Sequence, residues 1–173
     1  MLHMLKIIND LKPFFEDNYR RINIREYARI RKIAPPTASK LLGNFYNKSL
    51  LKKEADRIYI YYYANKENNL FIDLSRIYWK IILKNSGIID FFEKEFLNPL
   101  IILFGSLAKA EAKKDSDVDL AVFAESKKKP DLKDFEKKLK REIQLFVFKN
   151  MASVKNKELL KNIFNGYKIR GSW

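Results

Sequence analysis

The stretch that decides the fold of the second half of this chain reads Leu100-Ile-Ile-Leu-Phe-Gly-Ser-Leu-Ala-Lys-Ala-Glu-Ala-Lys-Lys-Asp-Ser-Asp-Val-Asp-Leu-Ala-Val-Phe123. Its apolar beginning, residues 100–104, has the character of a strand and ends at a Gly-Ser pair. A short helix-compatible stretch follows, and residues 118–123 predict a second strand. The pattern therefore predicts a strand–helix–strand unit.

Two carboxylates, Asp117 and Asp119, stand where the second strand opens. Because side chains alternate along a strand, residues two apart point to the same face. Two oxygen-rich side chains on one face can hold Mg²⁺, and backbone N–H groups of a Gly-Ser turn at a helix start suit a phosphate. The unit thus predicts a phosphate cradle beside half of a metal site.

This arrangement resembles the nucleotidyltransferase superfamily that includes the minimal nucleotidyltransferases, DNA polymerase β and the poly(A) and CCA-adding enzymes. Ten residues separate Ser106 from Asp117, as in the family motif, and residues 116–120 match its Ser-Asp-x-Asp-Leu core. The resemblance covers residues from about 86 to 173. It implies an NTP as substrate or ligand, Mg²⁺ or Mn²⁺ held by Asp117 and Asp119, and nucleotide contacts from Gly105, Ser106 and Ser116.

The chain departs from the family pattern at two positions. Ala110 stands where many members carry glycine, a mild change if the position is helical. The family also places a third catalytic carboxylate on a later strand, and the alignment of residues 142–148 puts Gln144 there. A glutamine is neutral and cannot act as a base. Glu142, two residues earlier on the same strand face, could substitute as a catalytic residue, or it could be a solvated strand end.

Composition excludes several kinds of site. The 173 residues suit one domain or two small ones, and they include no cysteine, so disulfides and cysteine-based zinc sites are excluded. His3 is the only histidine, which argues against histidine-dependent catalysis. The N-terminus does not have the pattern of a signal peptide, and no run of 18 apolar residues occurs. We therefore expect a cytoplasmic protein that does not span a membrane.

The charge of the chain favours a polyanionic partner. The formal net charge is +14, and residues 20–57 hold eleven basic and three acidic residues. A separate basic run, Lys127-Lys128-Lys129, is interpreted as a solvated loop.

The N-terminal part predicts three helices followed by a β-hairpin. Apolar residues recur at helical spacing over 2–17, Asn23 can cap a helix over 24–33, and a third helix starts near Pro35 or Pro36 and runs to Phe45. Two strands are predicted at 50–53 and 58–63, with residues 55–57 as the turn between them.

This order resembles the winged helix-turn-helix domains of bacterial and archaeal regulators. The third helix begins with Thr37, Ser39 and Lys40, which could reach phosphates and base edges of duplex DNA, and Arg57 at the hairpin tip could reach an adjacent phosphate. A phosphate-binding field is predicted from Arg20, Arg21, Arg25, Arg29, Arg31 and Lys32. The alternative is a protein-interaction module. The tyrosines at 59 and 61–63 either stack on bases or, as we favour, pack on the helices.

The complete prediction is an α+β protein with a winged helix-turn-helix domain at 1–64, a linker and bridging helix at 65–85, and a small mixed-sheet nucleotidyltransferase domain at 86–173. Helices are expected at 70–85, 88–97, 131–140 and 154–165, and a short strand at 167–170. The helix at 70–85 packs on one domain or both, or forms a homodimer contact.

Three functions stay open from the sequence. The first is an enzyme that transfers a nucleoside monophosphate to a protein or nucleic acid, including an antitoxin that modifies a HEPN-type protein partner. The second is a DNA-binding transcriptional regulator whose nucleotidyltransferase fold only binds nucleotide, which Gln144 favours. The third is a structural module, against which Asp117 and Asp119 argue.

Overall fold

The computed structural model describes residues 2–125 and 130–172, so the predicted loop at Lys127–Lys129 lies outside the described residues. The described part is a mixed α+β structure with a three-stranded and a four-stranded sheet. The elements in chain order are α1 Leu2–Glu16, β1 Ile22–Asn23, α2 Ile24–Arg31, α3 Pro35–Asn47, β2 Leu51–Asp56, β3 Tyr59–Ala64, α4 Asn69–Ser86, α5 Ile88–Glu95, β4 Leu100–Phe104, α6 Gly105–Ala108, β5 Val118–Phe123, α7 Lys133–Leu139, β6 Ile143–Phe148, a 3₁₀ turn Met151–Ser153, α8 Lys157–Phe164 and β7 Tyr167–Arg170.

The chain divides into two compact units. The first unit contains residues 1–75 together with 110–114, and the second contains 76–109 and 115–173. The boundary falls inside α4, a helix that the apolar periodicity of the sequence predicts almost to the residue. Its buried side chains include Phe71, Leu74, Tyr78, Trp79 and Leu83.

Three helices and a three-stranded antiparallel sheet form the main part of the first unit. Asn23 caps α2 through its side chain, which accepts a hydrogen bond from the Glu26 N–H, as the sequence predicts. The helix ends two residues earlier than predicted, because Lys32 adopts a left-handed conformation and its N–H closes back on the Ala28 and Arg29 carbonyls.

The hairpin of the first unit reaches further than predicted. Strands β2 and β3 continue to Asp56 and Tyr59, so the turn is Arg57-Ile58 rather than residues 55–57. The short strand β1, which pairs with β3 at Ile22↔Tyr62, was not predicted, since a two-residue strand leaves no periodic signal.

The second unit is built on a sheet with the strand order β6-β5-β4-β7. Strand β4 is antiparallel to β5 and β7, whereas β5 and β6 are parallel. Residues 100–104 are all buried, which confirms the apolar run as a core strand. One face of the sheet carries a hydrophobic cluster that α8 covers through Leu159, Leu160 and Ile163.

Helix α8 is shorter than the predicted helix at 154–165. A 3₁₀ turn ends at Ser153, and the Asn156 side chain caps α8 by accepting from the Glu158 and Leu159 N–H groups. The strand predicted at 167–170 is confirmed as β7. Within the described residues, no helix combines the length and the apolar character needed to cross a membrane.

Candidate functional site

The Gly-Ser turn and the second carboxylate lie directly against each other. Gly105 has a left-handed backbone with φ of +69°, and a Cβ built at this position would lie 2.0 Å from the Asp119 Oδ2 atom. Any L-residue would be strained at this backbone angle and would force the Asp119 side chain to move, so both the angle and the space favour glycine. The register of β4 and β5 causes this approach, because it pairs Phe104 with Asp119.

The parallel register of β5 and β6 places Gln144 beside the carboxylates. Asp119 pairs with Gln144, and residues opposite each other in neighbouring strands point to the same face of the sheet. The Gln144 side chain donates a hydrogen bond of 2.6 Å from Nε2 to the Asp117 Oδ2 atom. The position aligned with the family's third acid is therefore part of this cluster and holds a neutral amide.

Glu142 lies at the edge of this cluster. It precedes the first residue of β6, its side chain is exposed, and its carbonyl accepts a hydrogen bond from the Val118 N–H. Strand alternation puts its side chain on the face of Gln144. In the described part of the chain, no hydrogen bond or ion pair joins Glu142 to Asp117 or Asp119.

Electrostatics make the carboxylate pair a natural cation site. Burial raises the pKa of the Asp119 carboxyl above its usual range, and the negative charge of Asp117 raises the pKa further. A bound cation would offset both effects. In the described part of the chain, no group of three or more His, Cys, Asp or Glu residues could hold a metal ion.

Arg141, which no sequence motif singles out, supports the segment that leads into Asp117. Its Nη1 atom donates a hydrogen bond of 2.5 Å to the Ser116 carbonyl, and its guanidinium lies 5.0 Å from the ring centre of Trp79. The Ser116 backbone is thus held in place by a residue 25 positions away. Arg141 stands in a basic pair before a strand, which in sequence is indistinguishable from a solvated strand end.

The segment between the Gly-Ser turn and Asp117 is mostly a loop. Helix α6 ends at Ala108, and Lys109 donates a hydrogen bond of 3.0 Å to the Asn162 side chain of α8. The expectation that Ala110 is a mild replacement for glycine is wrong in its premise. Ala110 is fully buried and has a φ of +55°, a left-handed conformation that costs an alanine about 1 kcal/mol or more.

In the first unit, the residues predicted to contact DNA are exposed. Thr37, Ser39 and Lys40 lie on the solvent side of the first turns of α3, whereas Ala38, Leu42 and Phe45 are buried. Arg57 occupies the hairpin turn with a φ of +55°.

The predicted phosphate-binding field is only partly available. Arg20 pairs with Glu26 at 2.7 Å, Arg31 pairs with Asp10 at 2.8 Å, and Arg21 pairs with Glu54 and Asp56. Arg25, Arg29 and Lys32 are exposed. Side-chain pairing decides this division, and for Arg21 and Arg31 the acidic partners lie more than 20 residues away, so a charge count along the chain could not show it.

The packing prediction for the tyrosines is correct for one of the four. Tyr62 is buried, but Tyr59, Tyr61 and Tyr63 alternate with it along β3 and therefore point to the opposite face. Tyr59 is 41% exposed.

Comparison with known proteins supports the assignment of the second half alone. Residues 86–169 match the family model described as polymerase beta, nucleotidyltransferase. The chain matches no curated protein and no solved structure. The match contains Gly105, Ser106, Asp117, Asp119 and Gln144, and it supports a nucleotidyltransferase-fold domain in this half of the chain.

Proposed function

We propose that this chain is a Mg²⁺- or Mn²⁺-dependent nucleotidyltransferase that transfers a nucleoside monophosphate from an NTP to a hydroxyl of a protein or nucleic acid, and that its first unit is a DNA-binding winged helix. One observation carries the first part. The Asp119 carboxylate packs on the bare backbone of Gly105, with Asp117 on the same face, inside a segment that matches the nucleotidyltransferase family.

The donor set fits a nucleotide-bound cation. Mg²⁺ is usually held by one or two carboxylates together with substrate phosphates, and rarely by a complete protein cage. Asp117 and Asp119 would supply the two carboxylates. The cation would neutralise charge on the triphosphate when bound.

The remaining residues orient the substrates. The backbone N–H groups at Gly105 and Ser106 would donate hydrogen bonds to the β- and γ-phosphates, since a glycine lets the chain approach closely. In the reaction, the acceptor hydroxyl oxygen bonds to the α-phosphorus, the bond to the bridging oxygen breaks, and pyrophosphate leaves. The hydroxyl proton passes to Glu142 or to solvent.

A second function is favoured by one specific observation. Gln144 stands where the family has a carboxylate, and its amide donates a hydrogen bond of 2.6 Å to Asp117. The site therefore has one negative charge fewer than metal-assisted transfer normally uses. A regulator that binds DNA through α3 and binds NTP without turnover is consistent with this geometry.

If the chain is instead an enzyme, a HEPN-type protein is a candidate acceptor of the nucleoside monophosphate.

Incubation with each α-³²P-labelled NTP, with Mg²⁺ or Mn²⁺ and candidate acceptors, separates the two functions. Transfer of label by the wild type but not by Asp117→Ala supports the enzyme. Asp115→Ala is a matched control, because Asp115 is an exposed carboxylate two residues from Asp117. Binding of Mg²⁺-NTP without transfer supports the regulator, and absence of binding at millimolar NTP rejects both.

A further inference from the structure

The three-stranded sheet of the first unit has one face that neither the nucleotide site nor the proposed duplex DNA contact uses. It carries Tyr59, Tyr61 and Tyr63 of β3 and their cross-strand partners Asp56, Glu54 and Lys52 of β2. We call this the tyrosine face. We propose that it binds single-stranded RNA by stacking bases on the tyrosine rings.

The spacing of the rings favours a single strand over a duplex. Residues two apart on a strand are separated by about 6.7 Å, roughly twice the 3.4 Å rise between stacked bases in a duplex strand. The rings of Tyr59 and Tyr61 lie 6.3 Å apart and are tilted by 60°, so they do not stack on each other. Only bases splayed out of a helix can use such a row.

Basic side chains contact the rings of two tyrosines at or near the tyrosine face. The Arg21 guanidinium lies 4.9 Å from the Tyr61 ring centre. Tyr19, which is 49% exposed, has the Lys66 ammonium 3.7 Å from its ring centre. The Lys66 ammonium adds phosphate attraction to the stacking surface of Tyr19, whereas Arg21 contacts the Tyr61 ring while it is paired with Glu54 and Asp56.

Two shallow concavities extend the tyrosine face at its ends. One, of about 290 Å³, is lined by residues that include Tyr19, Arg21, Lys52, Tyr63 and Lys66. The other, of about 260 Å³, is lined by Asn23, Arg25, Glu26, Arg29 and Tyr59. A chain of nucleotides that follows the tyrosines would reach basic side chains at both ends.

The balance of charge supports an anionic ligand. Glu54 is paired with Arg21, Glu67 with Lys52 at 2.7 Å, and Glu26 with Arg20. Arg21 also pairs with Asp56, so one negative charge remains on the face, whereas Arg25, Arg29 and Lys66 add three positive charges at its ends. The excess of eight positive charges over residues 20–57 points the same way.

The acidic residues within the tyrosine face favour RNA over DNA. Glu54 and Asp56 lie opposite Tyr61 and Tyr59 on the neighbouring strand β2, and an ionised carboxylate accepts hydrogen bonds but donates none. The ribose 2′-hydroxyl can donate to such a group, and deoxyribose cannot. A phosphate group is negatively charged and has no hydrogen to donate, so it would not bind to these two carboxylates.

Fluorescence anisotropy with the full chain and labelled dodecamers of uridine, of thymidine, and of duplex DNA tests the proposal. We expect the uridine dodecamer to bind at low salt, and Tyr61→Ala and Tyr63→Ala each to weaken that binding about fivefold or more. Tyr61→Phe, which keeps the ring, should stay within about twofold of the wild type. Lys137→Ala, at an exposed lysine of α7 outside the tyrosine face, should leave the affinity for the uridine dodecamer unchanged.

Several outcomes would overturn the proposal. These are no binding of the uridine dodecamer, unchanged affinity in both alanine variants, equal loss in Tyr61→Phe, or equal affinity for the thymidine dodecamer. Thermal melting of each variant shows whether it is folded. None of these outcomes depends on the affinity for NTP or for duplex DNA, so failure of the proposal and failure of the proposed function can be told apart.

Discussion

Two residues with a left-handed backbone, Gly105 and Ala110, lie in the connection between β4 and β5, and they differ in the space around their Cβ positions. Gly105, at a φ of +69°, lies against Asp119, so its missing Cβ is a condition of the site. Ala110, at a φ of +55°, carries a buried methyl group instead. Part of the strain at Ala110 is offset by that burial, since a buried methyl contributes about 0.8 kcal/mol.

Gly105→Ala should abolish the nucleotide site. The new Cβ would meet the Asp119 carboxylate and the backbone would be strained, so we expect at least a tenfold loss of Mg²⁺-NTP affinity by calorimetry. The free energy of unfolding should fall by about 1–3 kcal/mol. Gly43→Ala is the control. It lies in α3 with nothing within 4 Å of its Cβ and should stabilise the protein by about 0.5–1 kcal/mol. Unchanged NTP affinity in Gly105→Ala would contradict the site.

Asp119→Asn should stabilise the metal-free protein at neutral pH. Burial, and then the charge of Asp117, raise the pKa of Asp119 in the folded state. The folded state therefore holds this proton more tightly than the unfolded state. The Asp119 carboxyl therefore adds to the free energy of unfolding below its pKa in the unfolded state. This contribution is lost as the pH rises through its pKa in the folded state. At about pH 7 the ionised carboxylate is a cost that Asn removes, and near pH 4 or below little should change.

Thermal melting in EDTA at both pH values checks this. Asp115→Asn, which neutralises an exposed loop carboxylate, should show no comparable gain. A gain of equal size at both pH values for Asp119→Asn would show that packing, and not charge, is responsible.

At the scale of elements, strand β6 decides whether the site has two or three acids. Its parallel register with β5 brings Gln144 opposite Asp119, and Glu142 lies just before the first residue of the strand. A shift of one residue would turn both side chains to the other face of the sheet. The register of β5 and β6 therefore determines which side chain of β6 stands next to Asp117 and Asp119.

Gln144→Asp should raise the rate of nucleotidyl transfer, or create it, because it restores a carboxylate next to Asp117 and Asp119. It should also destabilise the metal-free protein at neutral pH, since three carboxylates would repel each other and the hydrogen bond to Asp117 would be lost, at a cost of about 1 kcal/mol. Single-turnover assays with Mg²⁺ and Mn²⁺ measure the rate. Glu142→Gln is the companion variant, and it should lower the rate if Glu142 takes the hydroxyl proton. An active wild type that neither variant affects would show that the third catalytic group lies elsewhere.

At the scale of the whole molecule, the net charge of +14 is not spread evenly over accessible side chains. In the first unit, ion pairs with Asp10, Glu26, Glu54 and Asp56 engage several arginines. The exposed start of α3 and the hairpin turn keep basic residues on the surface. Long-range attraction to a polyanion persists, whereas specific contacts depend on the few cations outside these pairs.

Duplex DNA binding should weaken steeply with salt, because phosphate contacts release counterions. Lys40→Ala and Arg57→Ala should each weaken binding by about 1 kcal/mol, and loss of a phosphate contact should lower the salt slope by about one unit. Lys137→Ala is the control, since Lys137 is an exposed lysine of α7 in the second unit. Anisotropy titrations between low and physiological salt provide the measurement. An equal loss in all three variants would indicate only a general charge effect.

The candidate site was largely predictable because its motif is local. Gly105, Ser106, Asp117 and Asp119 lie within 15 residues, and strand alternation alone places both carboxylates on one face. Alignment of the apolar residues of β6 also placed Gln144 correctly beside them. The support that Arg141 gives to Ser116 was not predictable, because it joins residues 25 positions apart.

What the sequence determined by itself about this protein is the set of elements with strong periodicity and the spacing of the carboxylate motif. These depend on interactions between neighbours along the chain. Only the tertiary structure decided that Ala110 is left-handed, that Gln144 binds Asp117 and which arginines are engaged in ion pairs. It also decided that Tyr59, Tyr61 and Tyr63 lie on the face of β3 opposite the buried Tyr62, with Tyr59 exposed and the other two half-buried. Each of these depends on register or on contacts between distant segments, which many sequences with the same local pattern could make differently.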